Sequence, residues 1–203
     1  MSRGDDSELD LEPYLTALRE GQVVACATET QIGLLANGLD ADAVERVAAL
    51  KGRSDESPIA LLLPNAGALA DVAVAVSPAA LKLCHEHWPG PLTVLVRARP
   101  ELSRRLQRDG RVGVRVPGDS AALQLVKAFG GPLTATSANL SGEPAAVTAD
   151  EARAAFGDGL PVVPADAPGG APSTVVVFED GRLRIVRAGA IPVDALDGID
   201  PLA

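Results

Sequence analysis

The sequence predicts an α/β protein built on a mixed sheet. Short apolar runs with strand character alternate with segments of helical period, the pattern of packed sheet and helix layers. Several of those runs are separated by turns too short for a crossover, so parallel and antiparallel pairing must coexist. The chain has 203 residues, 47% hydrophobic and 22% charged, enough to bury a full core in one domain. Aromatic residues make up only 2%, so Val, Leu, Ala and Ile must fill that core.

In chain order, residues 7–20 read as a helix with Leu9, Leu15 and Leu18 near one face, stopped by Gly21. Val23-Val24-Ala25-Cys26 reads as a buried strand. It breaks into Thr28-Glu29-Thr30, and a second short strand is expected over 32–36. Asp40 caps a helix through Leu50, where Val44, Val47 and Leu50 recur at helical spacing. Residues 58–63 read as a strand. Ser77-Pro78 opens a helix to about His87, a hydroxyl cap followed by proline in the first turn. Trp88-Pro89-Gly90-Pro91-Leu92-Thr93 is a rigid turn feeding the strand 94–96. A short helix is expected over 101–108 and an alternating strand over 112–116. Asp119 is the expected cap of a helix through Phe129, ended by Gly130-Gly131-Pro132. Residues 133–136 form a strand running into Ser137-Ala138-Asn139. Thr148 and Glu151 make a capping box for a helix to Phe156. A short strand follows at 161–164, then a Gly/Pro/Ala loop over 165–172. A hairpin over Glu179-Asp180-Gly181 closes the pattern. Residues 1–7 form a flexible N-terminal tail, and 8–203 the domain.

A net charge of −9 argues against a general nucleic-acid-binding surface, while leaving room for a local basic pocket. Cys26 and Cys84 suit neither a disulfide framework nor a metal-ligand pair, and reduced thiols in the cytoplasm are expected. The N-terminus shows no apolar signal region, and no apolar run is long enough to span a bilayer.

Four groupings can carry chemistry. Lys51 and Arg53 flank Gly52 at a helix end, where both cations can swing toward one anion or simply complement the dipole. Arg115 sits in the apolar Val112-Gly113-Val114-Arg115-Val116-Pro117 and needs either a ligand anion or a structural carboxylate. Ser137-Ala138-Asn139-Leu140-Ser141-Gly142 is either an anion-binding concavity or a turn satisfying its own backbone. Ser173-Thr174 and Arg187 carry little weight alone. His85 and His87, about 200° apart on a helix, are poorly placed for one metal. Neither a Walker loop nor a G-x-S-x-G elbow is present.

Taken in order, these pieces resemble the YrdC-type threonylcarbamoyl-adenylate synthase family. That family's pattern runs Pro-Thr-Glu-Thr-Val-Tyr-Gly-Leu, Lys-x-Arg, Trp-Pro-Gly-Pro-Leu-Thr, a Val-x-Val/Leu-Arg-x-Pro strand, Ser-Ala-Asn-x-Ser-Gly, Pro-Ser-Thr and Arg-x-Gly. The counterparts here are 27–34, 51–53, 88–93, 112–117, 137–142, 172–174 and 187–189. The chain departs at Ala27, where the family has proline, and at Gln31-Ile32, where it has Val-Tyr. The resemblance implies the short, single-domain form, a YrdC-like twisted mixed sheet with flanking helices around a concave, positively lined cavity. It implies a nucleotidyltransferase: L-threonine, bicarbonate and ATP give threonylcarbamoyl-AMP and pyrophosphate. A transient partner complex then transfers the threonylcarbamoyl group to tRNA.

On that reading Lys51 and Arg53 hold the ATP phosphates and are catalytic, with Ser137, Asn139 and Arg187 completing the ATP site. Thr30, Arg115 and Ser173 bind the threonine or carbamate side. No metal ligands are implied; Mg²⁺ arrives with ATP. The 165–172 loop is expected to close over the nucleotide. The missing tyrosine keeps open adenylation of another carbamoyl donor such as carbamoyl phosphate. Weak double-stranded RNA binding, or a non-catalytic paralogue, is the remaining alternative.

Overall fold

The computed structural model describes residues 9–52, 58–140, 142–179 and 181–196. The expected tail over 1–7 and Arg53 lie outside the described residues. Helix α1 (Glu12–Arg19) precedes strands β1 (Val24–Ala27) and β2 (Ile32–Leu35). Then come α2 (Ala41–Leu50), β3 (Ala60–Leu62), α3 (Leu69–Val72), β4 (Ala73–Ala75), α4 (Pro78–His87) and β5 (Leu92–Ala98). They are followed by β6 (Gln107–Arg108), β7 (Arg111–Arg115), α5 (Ala121–Phe129), β8 (Leu133–Ser137) and α6 (Ala149–Phe156). The hairpin β9 (Thr174–Glu179) and β10 (Arg182–Arg187) completes the sheet.

The strand order is β1-β2-β8-β3-β7-β5-β9-β10, with β4 on β5 and β6 on β7. The β3–β7 and β5–β9 pairs are parallel and the others antiparallel, so the sheet is mixed. Beyond β1, Val162 bridges Ala25 in parallel fashion, so the strand expected over 161–164 is a single bridge that covers this edge. At the other end no described strand pairs with the outer edge of β10.

Period-two alternation sends β1 side chains to two cores. Val24 and Cys26 join Leu15 and Leu18 of α1 and Leu125 and Val126 of α5. Ala25 and Ala27 join Ile32, Leu34 and the α2 residues Val44 and Val47. Full burial of each Val, Leu or Ile side chain contributes about 1.5–3 kcal/mol, which explains how a core nearly free of aromatics holds. Burial pushes the Cys26 and Cys84 thiols up to about 12. Iodoacetamide at about pH 8 is therefore expected to label neither in the native protein and both after denaturation, as read by intact mass.

The caps at Asp40 and Ser77 and the Thr148–Glu151 capping box form as the sequence indicates. Three expectations are corrected. Helix α1 begins at Glu12, where Pro13 occupies the first turn. The cap of α5 is Ser120, whose hydroxyl accepts from Leu123 N at 3.2 Å, not Asp119. Residues 101–108 form only a 3₁₀ turn (Arg104–Leu106) before β6, because Gln107 and Arg108 are taken into pairing with β7.

Candidate functional site

A cavity of about 380 Å³ opens on the sheet across β2, β8, β3, β7, β5 and β9. Its floor is low because small residues sit at neighbouring positions: Gly33, Ala60, Gly113 and Ala135 all line it. A Cβ on Gly113 would stand 3.1 Å from Thr93 Cγ2 and 3.3 Å from Leu95 Cδ2, so glycine here keeps both room and close strand packing.

The charged lining is of one sign. Arg108, Arg111, Arg115 and Arg187 face the cavity, and among the described residues no carboxylate lines it, in a protein of net charge −9. Arg115 ends β7 at 7% exposure and donates through Nη1 to Glu29 Oε1 at 2.7 Å. The second oxygen of Glu29, Oε2, is buried without a hydrogen-bond partner among the described residues. Burial lowers the Arg115 pKa, the Glu29 charge opposes that, and the Arg187 charge adds to it. Burial also lowers the pKa of Arg187. Both guanidiniums stay charged, since arginine does not deprotonate in proteins.

Arg187 Nη2 donates to the Ser173 carbonyl at 2.7 Å and to Ser173 Oγ at 3.2 Å. Ser173 Oγ in turn meets Thr93 Oγ1 at 2.9 Å. Across the cavity, Thr28 closes the turn between β1 and β2: its hydroxyl donates to the Gln31 carbonyl at 2.8 Å and accepts from the Thr30 and Gln31 amides at 3.2 Å. That single proton is then spent, so Thr30 Oγ1 is the donor in the 3.1 Å contact with Thr28. The lone pairs of Thr30 remain for the cavity it lines.

Lys51 behaves differently from a cation swinging on a frayed helix end. It is 2% exposed, and its ammonium donates to the Ser137 carbonyl and to Asn139 Oδ1 (3.0 Å), with Ser137 Oγ at 3.4 Å. Asn139 Nδ2 donates to the Leu140 and Glu143 carbonyls, each at 2.8 Å. The Ser137–Asn139 turn thus both satisfies its own backbone and gathers a cation. Ser137 lines the cavity, and Lys51 and Asn139 stand behind it.

The structure brings Thr30, Arg115, Ser137, Ser173 and Arg187 to one cavity. Glu29, Thr93, Arg108 and Arg111 were not singled out as site residues from sequence. A signal for Arg111 exists: strand alternation through Arg111-Val112-Gly113-Val114-Arg115 puts Arg111 on the same face as Arg115. From the loop, Pro172 lines the cavity, and Gln31 Nε2 lies 3.4 Å from the Gly170 carbonyl.

Comparison with known proteins identifies the family. The Sua5/YciO/YrdC family model, described as telomere recombination, matches residues 16–189. A threonylcarbamoyl-AMP synthase of Pyrococcus abyssi is 32% identical over 186 residues, covering 90% of this chain and 54% of the relative. A putative threonylcarbamoyl-AMP synthase of Mycobacterium leprae is 33% identical over 182 residues, covering 88% and 82%. The crystal structure of P. abyssi Sua5 complexed with L-threonine superposes with a TM-score of 0.87 at 29% identity, over 93% of this chain and 56% of that one. The chain spans about half the length of the Pyrococcus relative and about four-fifths of the mycobacterial one. With a family model matching residues 16–189 and a fold to match, this chain belongs to the Sua5/YciO/YrdC family.

Proposed function

We propose that the chain makes L-threonylcarbamoyl-AMP and pyrophosphate from L-threonine, bicarbonate and ATP. The observation that carries this reading is the cavity lined, among the described residues, by four arginines and no carboxylate in an acidic protein. Such a site suits a reaction that must bring two anions together. The threonine amine adds to the carbon of bicarbonate-derived carbon dioxide and loses a proton, giving a carbamate. A carbamate oxygen then attacks the α-phosphorus, and the bond to the bridging oxygen breaks to release pyrophosphate. The work is positioning and charge stabilisation, with no nucleophilic side chain required.

In this reading Arg115 faces the threonine carboxylate or the carbamate, held by Glu29 at 2.7 Å. Thr30 and Ser173 border the amino-acid side. Lys51 and Arg53 hold the phosphates with Ser137, Asn139 and Arg187. Lys51 acts from behind Ser137, orienting the turn and adding positive potential. Among the described residues no group of three or more His, Cys, Asp or Glu is placed to hold a metal ion, and Mg²⁺ enters on the phosphates of ATP. Ile32 presents an aliphatic wall to the cavity where the family carries a tyrosine. No helix among the described residues is long and apolar enough to cross a membrane. In this reading the reaction runs in the cytoplasm, where a threonylcarbamoyl transferase complex would take the product to tRNA.

The test is pyrophosphate release with ATP, bicarbonate and each amino acid in turn. Turnover with threonine alone is expected, and Lys51→Ala combined with Arg53→Ala should cut it by about 100-fold or more, the scale of losing charged transition-state contacts. Turnover only with carbamoyl phosphate would replace threonine by that donor. Silence with every donor, together with tight, salt-sensitive RNA binding, would overturn the enzyme reading.

A further inference from the structure

Two hydroxyls on the cavity wall carry one proton more than the described residues use. Thr93 of β5 and Ser173, just before β9, are both buried, and both line the cavity. Their oxygens lie 2.9 Å apart. Each hydroxyl has a single proton, and the contact between them spends only one. Ser173 Oγ also accepts from Arg187 Nη2 at 3.2 Å, which occupies a lone pair and no hydroxyl proton. Thr93 Oγ1 has no other hydrogen bond among the described residues. Thr30, on the turn after β1, has the reverse balance: its proton is spent on Thr28 and only lone pairs remain.

The guanidinium decides which hydroxyl is left over. Donation from Arg187 polarises Ser173, and the chain strengthens when Ser173 passes its own proton on to Thr93. The hydrogen bonds then run one way, from Arg187 to Ser173 to Thr93, and the Thr93 proton is the one without an acceptor. Packing fixes where that hydroxyl stands. A Cβ on Gly113 would lie 3.1 Å from Thr93 Cγ2, so the Thr93 methyl fills the space that glycine leaves and the branched side chain is held in one rotamer. A buried hydroxyl proton needs an acceptor. Among the described residues no carboxylate lines the cavity, so the acceptor comes with the ligand.

The geometry points to Thr93 as a substrate-binding residue: it ends a relay that starts at Arg187 and gives its proton to a carboxylate-type oxygen of the amino-acid substrate. One neutral donor suits one oxygen of a group whose charge is answered by a guanidinium, and Arg115 on β7, the strand paired with β5, supplies that charge. That the substrate is an amino acid rests on the function proposed above. The unspent proton rests on the hydrogen bonds alone. An oxygen of this type occurs on the substrate carboxylate and again on the carbamate.

Calorimetry with L-threonine and with ATP, together with steady-state pyrophosphate release, tests this. The proteins compared are the unaltered chain, Thr93→Val, Thr93→Ser, Ser173→Ala and the double variant of Thr93→Val with Ser173→Ala. Thr93→Val keeps the shape over Gly113 and removes the proton. It should weaken L-threonine binding or lower kcat by about tenfold or more, the scale of a hydrogen bond to a charged group, and leave ATP affinity unchanged. Weaker L-threonine binding without bicarbonate assigns the contact to the carboxylate; a loss confined to kcat assigns it to the carbamate. Thr93→Ser should restore most of the loss. Thr93→Ala, which introduces no clash, repeats the measurement if Thr93→Val folds poorly. Ser173→Ala keeps the backbone carbonyl that holds Arg187 and should cost less than Thr93→Val. The double variant should cost no more than Thr93→Val alone, because both residues act through one proton. An indifferent Thr93→Val, an equal loss of ATP affinity, additive losses, or a larger loss in Ser173→Ala would overturn the relay. L-threonine binding that needs Thr93, without any pyrophosphate release, would keep the relay and sink the synthase reading. Threonine-dependent turnover indifferent to Thr93→Val would do the reverse, and no L-threonine binding by the unaltered protein would overturn both.

Discussion

Glu29→Ala is expected to destabilise the protein by about 3–5 kcal/mol, the cost of leaving one partner of a buried ion pair uncompensated. Arg115 is 8% exposed in its side chain and Glu29 13%, and the 2.7 Å contact joins them with little water to screen it. Removing the carboxylate leaves a guanidinium facing Arg187 with no anion beside it. Chemical denaturation should show the midpoint falling. The double variant Glu29→Leu with Arg115→Met separates stability from function. Replacing both partners by apolar groups should recover most of the loss, while threonine-dependent pyrophosphate release stays absent. Full activity in that double variant would remove Arg115 from the substrate side. The unpartnered Oε2 of Glu29 sharpens the point, because a buried carboxylate oxygen left idle is tolerated where the site gains from the charge.

Gly189→Ala is expected to damage the site from its outer wall. A Cβ there would lie 2.2 Å from the Pro172 carbonyl oxygen and 2.6 Å from the carbonyl carbon and oxygen of Ser173. All three are backbone atoms, so no side-chain rotation relieves the overlap. The two segments cannot simply part, since Ala190 N donates to the Pro172 carbonyl at 2.8 Å and Ile191 N to Thr174 Oγ1 at 3.0 Å. Overpacking of this kind costs about 1–3 kcal/mol. The functional cost is larger, because the displaced Ser173 carbonyl is the acceptor that aims Arg187 into the cavity. A loss of kcat/KM of at least about tenfold is expected, the scale of a misplaced positioning group. Near-normal kcat/KM in a folded Gly189→Ala protein would separate Arg187 from the reaction.

The parts of the fold legible from sequence were those with local chemistry. Asp40, Ser77 and Thr148 declare helix starts because a short polar side chain has one good use before an apolar period. Ser120 was hidden by its neighbour Asp119, since either residue type can cap and only the backbone decides. The short elements α3, β4 and β6 were illegible because two to four residues carry no period. The site was legible as a set of residue types and illegible as a geometry. Arg115 announced a need for an anion, but its partner Glu29 lies 86 positions away and is reached only through the sheet. Lys51 announced a cation at a helix end. Its inward course to Ser137 and Asn139 depends on where β8 terminates, a matter of tertiary register.

The two borders of the sheet are finished by different means. At β1 the chain folds back and Val162 occupies the margin. At β10 no described strand pairs with the outer edge, and Arg182, Arg184 and Arg187 punctuate that strand instead. An uncovered strand invites a second molecule to extend the sheet, and repeated cationic side chains discourage that approach. The strand that carries Arg187 thus also guards the protein against self-association. Neutralising it with a long polyanion, or replacing its arginines with β-branched neutral residues, would turn a colloidal barrier into a template for aggregation.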